Sequence, residues 1–310
     1  MRRILIAGGA GFVGSNLTRR LLAAGDAVCC VDDLSTGRHA NLAELEGVAG
    51  FSFVEGDVCE PLCLPAGPFD VVANLASPAS PPAYLARPIA TLRVGSVGCE
   101  NLIRVALEHD AVFLHASTSE VYGDPLEHPQ TESYWGHVNP VGPRSVYDEA
   151  KRYAEALCSA YQREHGLRLR LPRLFNTYGP RMQADDGRVI TNFVTQALRG
   201  EPLTIYGDGS QTRSFCFVDD LLDAFESLLL VDVDGPINIG NPGEFTMLEL
   251  ADLVRELTGS TADNVYRPLP ADDPTQRRPD IARARTLLGW EPRILLREGL
   301  GRTIAWFRQS

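Results

Sequence analysis

The sequence predicts an α/β fold: a doubly wound parallel sheet with a second, smaller domain. Three observations predict it. Short apolar runs alternate with amphipathic helical patterns through the first half of the chain. A glycine cluster, Gly8 to Gly14, stands where the first apolar run meets the first helical pattern. After Gly166 the rhythm changes, and Pro, Gly and Arg become frequent. A chain of 310 residues is long for one compact domain and short for three.

Residues 3–7 form the first strand, stopped by Gly8 and Gly9. The next pattern sets Phe12, Val13, Leu17, Leu21 and Leu22 on one helical face and stops at Gly25. A second strand runs from Ala27 to Val31 and ends at Asp32; β-like runs follow at Phe51–Val54, Val71–Leu75 and Val112–Ala116. Helical patterns near 86–108 and 145–165 lie among them. Leu167 to Phe175 reads as one more strand, although Pro172 inside it has no N–H for a ladder bond. A helix near 188–199, a hairpin around Gly207-Asp208-Gly209 and a helix near 219–230 are expected next. Thr246 and Glu249 have capping-box spacing and open a helix ending at Gly259. The segment 266–280, rich in Pro, Asp and Arg, is expected to be irregular, and two short helices to close the chain.

Hydrophobic residues make up 44% and charged residues 22%, enough apolar material for a full core. The formal net charge of -11 argues against nucleic acid or an anionic membrane as the main partner. It leaves room for an anionic small molecule, which needs only a few local arginines. No stretch approaches the roughly 20 apolar residues of a membrane span, and the run after Met1-Arg2-Arg3 is too short for a signal peptide. The seven cysteines (29, 30, 59, 63, 99, 158 and 216) are odd in number, and several sit in apolar runs. No Cys/His set has zinc spacing, so no metal is expected, and a reduced, cytoplasmic setting fits best.

Gly8 and Gly11 would let backbone approach a pyrophosphate, and Gly14 would let helix and sheet pack closely. The helix N-terminus there favours an anion. Asp32, ending the second strand, would accept hydrogen bonds from a ribose and repel a 2′-phosphate, so NAD is expected rather than NADP. Arg38 reads as a solvated loop arginine. Tyr147 and Lys151 are four apart in a helical pattern and share one face. A nearby ammonium, with a positive nicotinamide ring, would lower the phenol's pKa from near 10. The strand ending at Ala116 leads into Ser117-Thr118-Ser119-Glu120 at the sheet's carboxyl edge. Thr118 can donate to a substrate hydroxyl or ketone, and Glu120 offers a carboxylate beside the reacting carbon.

Together these residues resemble the extended short-chain dehydrogenase/reductases that act on nucleotide sugars. Longer stretches are similar to one family within them, the UDP-glucuronate decarboxylases (UDP-xylose synthases). They are Ser117–Pro125, Tyr134–Pro140, Gly142–Arg144, Tyr147–Glu149, Phe175–Met182, Asp186–Arg188 and Tyr206–Phe215. The likeness runs from about residue 3 to 308. It implies a Rossmann-type NAD-binding domain, 1–171 plus 214–240, and a nucleotide-sugar-binding domain, 172–213 plus 241–310. It also implies a homodimer paired through the helices near 86–108 and 145–165. Its NAD site would add Phe12, Val13, Asp33, Leu34, Ser35, Thr36, Gly37, Asp57, Val58, Leu75, Ala76, Ser77 and Thr177. Its UDP-sugar site would comprise Arg93, Asn101, Ser119, Asn176, Arg188, Asn192, Tyr206, Gln211, Arg213 and Arg277. Arginines suit a diphosphate and a carboxylate because each binds in a bidentate manner. Departures from the family pattern are Ala7, Cys63, Asn74, Ser77, Val94-Gly95 and Gln183.

The reaction that this resemblance implies is decarboxylation of UDP-glucuronate through a UDP-4-keto intermediate to UDP-xylose, with some UDP-4-keto-xylose released if cofactor escapes. Tyr147 would take the C4 hydroxyl proton. The ketone would make the C6 carboxylate a β-keto acid, and Thr118 and Tyr147 would stabilise the enolate. Arg277 and Glu120 would orient carboxylate and ring, with Glu120 helping protonation at C5. The alternatives are a 4,6-dehydratase and a 4-epimerase. The first is disfavoured because Ser119 stands where an acidic Asp is usual; the second needs room to rotate a keto sugar. A non-catalytic nucleotide sensor would be expected to lack the Tyr or the Lys.

Overall fold

The computed structural model describes residues 1–270, 274 and 276–309. Ala271, Asp272, Asp273 and Thr275, within the segment expected to be irregular, lie outside the described residues. The first half runs β1 (Arg3–Ala7), α1 (Phe12–Ala23), β2 (Ala27–Asp32), β3 (Phe51–Glu55), β4 (Val71–Asn74), α2 (Pro81–Ala86), α3 (Pro88–Arg93), α4 (Cys99–Glu108), β5 (Val112–His115), β6 (Ser117–Thr118) and α5 (Ser145–His165). The second half adds β7 (Arg168–Leu174), β8 (Thr177–Tyr178), α6 (Val189–Arg199), β9 (Leu203–Tyr206), β10 (Thr212–Ser214), β11 (Cys216–Phe217) and α7 (Val218–Leu230). It closes with β12 (Pro236–Ile239), β13 (Glu244–Thr246), α8 (Met247–Thr258), β14 (Asn264–Arg267), α9 (Ala282–Leu288) and α10 (Leu296–Phe307).

The main sheet has the order β12-β7-β5-β4-β1-β2-β3, with β6 also on β7, and its ladders are parallel. This is a Rossmann sheet, reversing direction between β1 and β4. The pleat explains why β1 is apolar throughout. Ile4 and Ile6 enter one core, continuous with α6, α7, α8 and α10; Leu5 and Ala7 enter a second core under α4 and α5. The shared first core ties the C-terminal helices to the sheet, and β7 crosses the 171/172 division expected from sequence.

Pro172 now has an account. β7 pairs with β5 as far as Arg170 and with β6 from Arg173, in one continuous register, and the ladder lapses between them. A residue without an N–H falls in the gap. The helical stretch expected near 86–108 runs from Pro88 to Glu108 as α3 and α4 joined by a π-helical turn, Val94–Gly98, and starts after Arg87 because Pro88 disfavours helical backbone in the residue before it. One expectation needs correction. Gly207 and Gly209 make a turn but no hairpin: β9 pairs with β14 and β10 with β13. The turn is closed instead by the Gln211 side chain, which donates to the Tyr206 carbonyl at 2.6 Å. The capping box of Thr246 and Glu249 is present, and Gly259 ends α8 in the left-handed region.

Candidate active site

A groove lies over the carboxyl ends of β1, β2 and β4, where an open α/β sheet places its ligand. Gly8 has φ 79, and a Cβ on it would meet the backbone of Leu75 and Ala76 at 2.7–2.8 Å. A Cβ on Gly14 would stand 2.1 Å from the Gly8 carbonyl, so only glycine lets α1 start this close to the turn. Gly11 caps α1 without a side-chain bond, which leaves the first helical N–H groups available to an anion. Asp32 is buried and accepts N–H bonds from Ala10 and Leu34, both 2.9 Å. Burial raises its carboxyl above the ordinary range, and these backbone bonds oppose that. The bond to Leu34 holds that residue at φ 57, which L side chains rarely adopt. Gly37 is required because a Cβ there would strike the Asp32 carboxylate at 2.6 Å.

Gly8, Gly11, Asp32, Asp33 and Ser35–Gly37 line this groove, as do Asp57, Val58 and Leu75–Ser77. Phe12, Gly14 and Leu34 line neither this groove nor the neighbouring cavity, which Val13 and Thr177 line. Arg93 lines the nucleotide groove rather than the cavity next to it. Asn101 lines neither; its amide holds the Val58 carbonyl at 3.0 Å. Arg38 pairs with Asp185 at 2.9 Å, and Gln183 donates to the Thr36 carbonyl, so the 183–185 loop closes onto the cofactor loop.

The adjoining cavity holds about 500 Å³. β6 and the turn after it bring Thr118, Ser119 and Glu120 to its wall, and α5 brings Tyr147 and Lys151. From the C-terminal elements come Asn176, Arg188, Asn192 and Tyr206, with Gln211, Arg213 and Arg277. Arg188 forms a bidentate pair with Asp186, and Arg213 donates to the Thr212 carbonyl at 2.9 Å.

Tyr147 and Lys151 are both buried. The Lys151 ammonium donates to the Ala116 carbonyl at 2.8 Å and lies 5.9 Å from the Tyr147 ring centroid. Burial pushes Lys151 down to about 8. Burial, then the Glu120 charge, pushes Tyr147 up to about 12, against a hydrogen bond from Thr118. In the protein alone the lysine does not offset the loss of solvation; the expected lowering also involves the positive nicotinamide ring.

Glu120 is paired with two arginines. Arg277 holds it in a fork at 2.7 and 2.9 Å, and Arg144 adds a bond of 2.7 Å. Burial alone would raise this carboxyl, but Arg277 and Arg144 outweigh it and hold it down at about 2. In the free protein Glu120 is therefore held ionised, an anchor for the two arginines. Two arginines on one carboxylate leave an excess positive charge facing the cavity. Three neighbours escaped the sequence reading of the site. Arg144 belongs to a quoted motif but carries no signal of its own. Tyr84 stacks on Tyr147 with centroids 5.1 Å apart and planes 6° apart. Asp148 is pushed up to about 7 by burial and then by Glu120.

Residues 4–240 match the family model of the NAD dependent epimerase/dehydratase family. UDP-glucuronic acid decarboxylase 1 of Danio rerio is 50% identical over 309 residues, covering 100% of this chain and 73% of that protein. UDP-glucuronic acid decarboxylase 2 of Arabidopsis thaliana is 52% identical over 307 residues, covering 99% of this chain and 68% of that protein. The chain belongs to the UDP-glucuronic acid decarboxylases of this family. Among solved structures it is similar to the UDP-glucuronic acid 4-epimerase from Bacillus cereus in complex with UDP-glucuronic acid and NAD, with TM-score 0.88, 27% identity and 99% of each chain covered. The epimerase and dehydratase alternatives thus stand as superfamily context. Family membership makes the chain an NAD-dependent enzyme, and the glycine cradle and Asp32 suit that cofactor. Among the described residues, no helix is long and apolar enough to cross a membrane.

Proposed function

We propose that this enzyme binds UDP-glucuronate in the 500 Å³ cavity and decarboxylates it to UDP-xylose through a 4-keto sugar. The observation that carries this reading is the meeting, in one cavity, of Thr118, Tyr147 and Lys151 with the Arg277–Glu120–Arg144 cluster. The first set suits proton removal from a hydroxyl; the second suits a carboxylate on the same substrate.

NAD would be held by Gly8, Gly11, Asp32 and the 33–37 loop, and when bound it supplies the oxidation of C4 and the matching reduction. Tyr147 takes the C4 hydroxyl proton, and the Lys151 charge lies on the same helical face one turn away. The 4-ketone turns the C6 carboxylate into a β-keto acid, whose C5–C6 electron pair drains into the ketone as carbon dioxide leaves; the enolate then takes a proton from solvent at C5, restoring the 4-ketone that is reduced to UDP-xylose. Thr118 and Tyr147 donate to the enolate oxygen. Arg277, fixed by Glu120, orients the carboxylate without closing on it. Asn176, Arg188, Asn192, Tyr206, Gln211 and Arg213 hold the UDP-sugar. Arg93 and Asn101 act on the cofactor side, through the groove wall and the Val58 carbonyl.

With the first boundary moved from 171 to 174 so that β7 stays whole, the 1–174 plus 214–240 unit would carry NAD and the remainder the sugar nucleotide. A homodimer is supported by an apolar surface on the helices: Leu85, Ile89, Leu92, Val97 and Tyr153 are all exposed. A reducing, cytoplasmic setting fits the seven free cysteines. The test is incubation with UDP-glucuronate labelled at C6. Labelled carbon dioxide with UDP-xylose is the expected result. Retained label in an altered sugar would mean epimerisation and would overturn the reading, whereas NADH accumulating with label loss would mean release of UDP-4-keto-xylose.

A further inference from the structure

Behind Lys151, on the side away from the substrate cavity, Cys99, His115 and Cys158 converge from α4, β5 and α5. The two sulfurs are 3.9 Å apart, and the Cys99 sulfur lies 3.9 Å from His115 Nδ1. One ligand atom from each residue falls within 4.8 Å of the others, and all three residues are at most 2% exposed. Tetrahedral zinc with Zn–S near 2.3 Å and Zn–N near 2.0 Å places sulfurs about 3.8 Å apart and sulfur and nitrogen about 3.5 Å apart. The sulfur pair is already at that spacing, the Cys99–His115 contact is a few tenths of an ångström too long, and Cys158 and His115, within 4.8 Å of each other, would have to draw together on a metal.

The imidazole is not anchored as a buried histidine usually is. Its Nε2 has no hydrogen-bond partner, and its Nδ1 meets only the Cys99 thiol and the Asn74 amide, the latter at 3.2 Å. Half a turn of that amide would present an oxygen beside the same point, a fourth ligand. Charge also balances: a divalent cation displaces two thiol protons, and the metal with its two thiolates is neutral. Ligand spacing along the chain, 16 and 59 residues from Cys99, belongs to no local motif, so only the fold reveals the cluster.

We propose that Cys99, His115 and Cys158 form a buried site for one thiophilic divalent cation, loaded as the chain folds. The probe is zinc. The enzyme is expressed in zinc-supplemented medium, purified without chelator and assayed by elemental analysis after gel filtration. About one zinc per chain is expected, retained in Cys59→Ala and Cys63→Ala and reduced at least about tenfold in Cys99→Ala/Cys158→Ala. Equal zinc in that double variant, or metal-poor wild type, overturns the proposal. Expression with cobalt in place of zinc tests it without any variant. Thiolate-to-cobalt charge-transfer absorption must appear in the folded wild type, and its absence sinks the site. Neither readout depends on decarboxylation.

Discussion

Replacing Glu120 by Gln keeps the shape of the side chain and removes its charge. Arg277 and Arg144 then face each other across a cavity wall with no anion between them. The magnitude follows from the carboxyl itself, displaced from 4.5 to about 2. That displacement corresponds to about 3 kcal/mol of preference for the ionised, folded form, the size expected when one partner of a buried ion pair is deleted. The sign is fixed by linkage. A carboxyl depressed in the folded state contributes stability above its unfolded value, and loses it as pH falls through the folded value. Equilibrium urea unfolding by circular dichroism, without added NAD, should show Glu120→Gln less stable than wild type by about 3 kcal/mol at neutral pH. At a pH of about 3.5 the gap should shrink by about 1.4 kcal/mol, because the unfolded carboxyl is then largely protonated. A variant as stable as wild type at neutral pH would refute the reasoning; so would a gap indifferent to acid.

Three further outcomes are expected. Tyr147→Phe should lower kcat by about 10²–10⁴-fold while NAD affinity, read by fluorescence titration, stays unchanged; wild-type turnover would remove the base from the scheme. Gly14→Ala forces a Cβ to within 2.1 Å of the Gly8 carbonyl. The distortion, about 1–3 kcal/mol, should weaken NAD binding about 5- to 150-fold. Lys151, lowered to about 8 by burial, loses its charge as pH rises through that value. kcat/KM should therefore decline above it, and Lys151→Arg should lack that descending limb; a flat profile in wild type would count against the assignment.

The alternation of strands and helices was legible because each element obeys a local rule. A pleated strand buried on both faces is apolar throughout, as β1 is, and Gly14 is fixed by contact with a turn only six residues away. The breaks were less legible. The lapse in the β7 ladder and the lost hairpin depend on partners far along the chain, so Pro172 looked anomalous and Gly207–Gly209 looked like a hairpin turn. The same holds for the site. Tyr147 and Lys151 announce themselves by spacing on one helix. Arg144 and Tyr84 matter through what they touch, and the burial that raises Tyr147 is a property of the assembled fold.

The seam between β5 and β6 has a last consequence. β5 ends at His115 and β6 begins at Ser117, so Ala116 sits at a seam in the sheet, with its N–H bonded to the Asn74 carbonyl at 3.1 Å. Its own carbonyl points outward and becomes the mooring for the Lys151 ammonium. β4 ends at Asn74, so no further strand N–H competes for that oxygen on this side, and without it the lysine would be left in a medium too apolar for its charge. The sheet is thus interrupted at the place where its backbone is needed as a ligand.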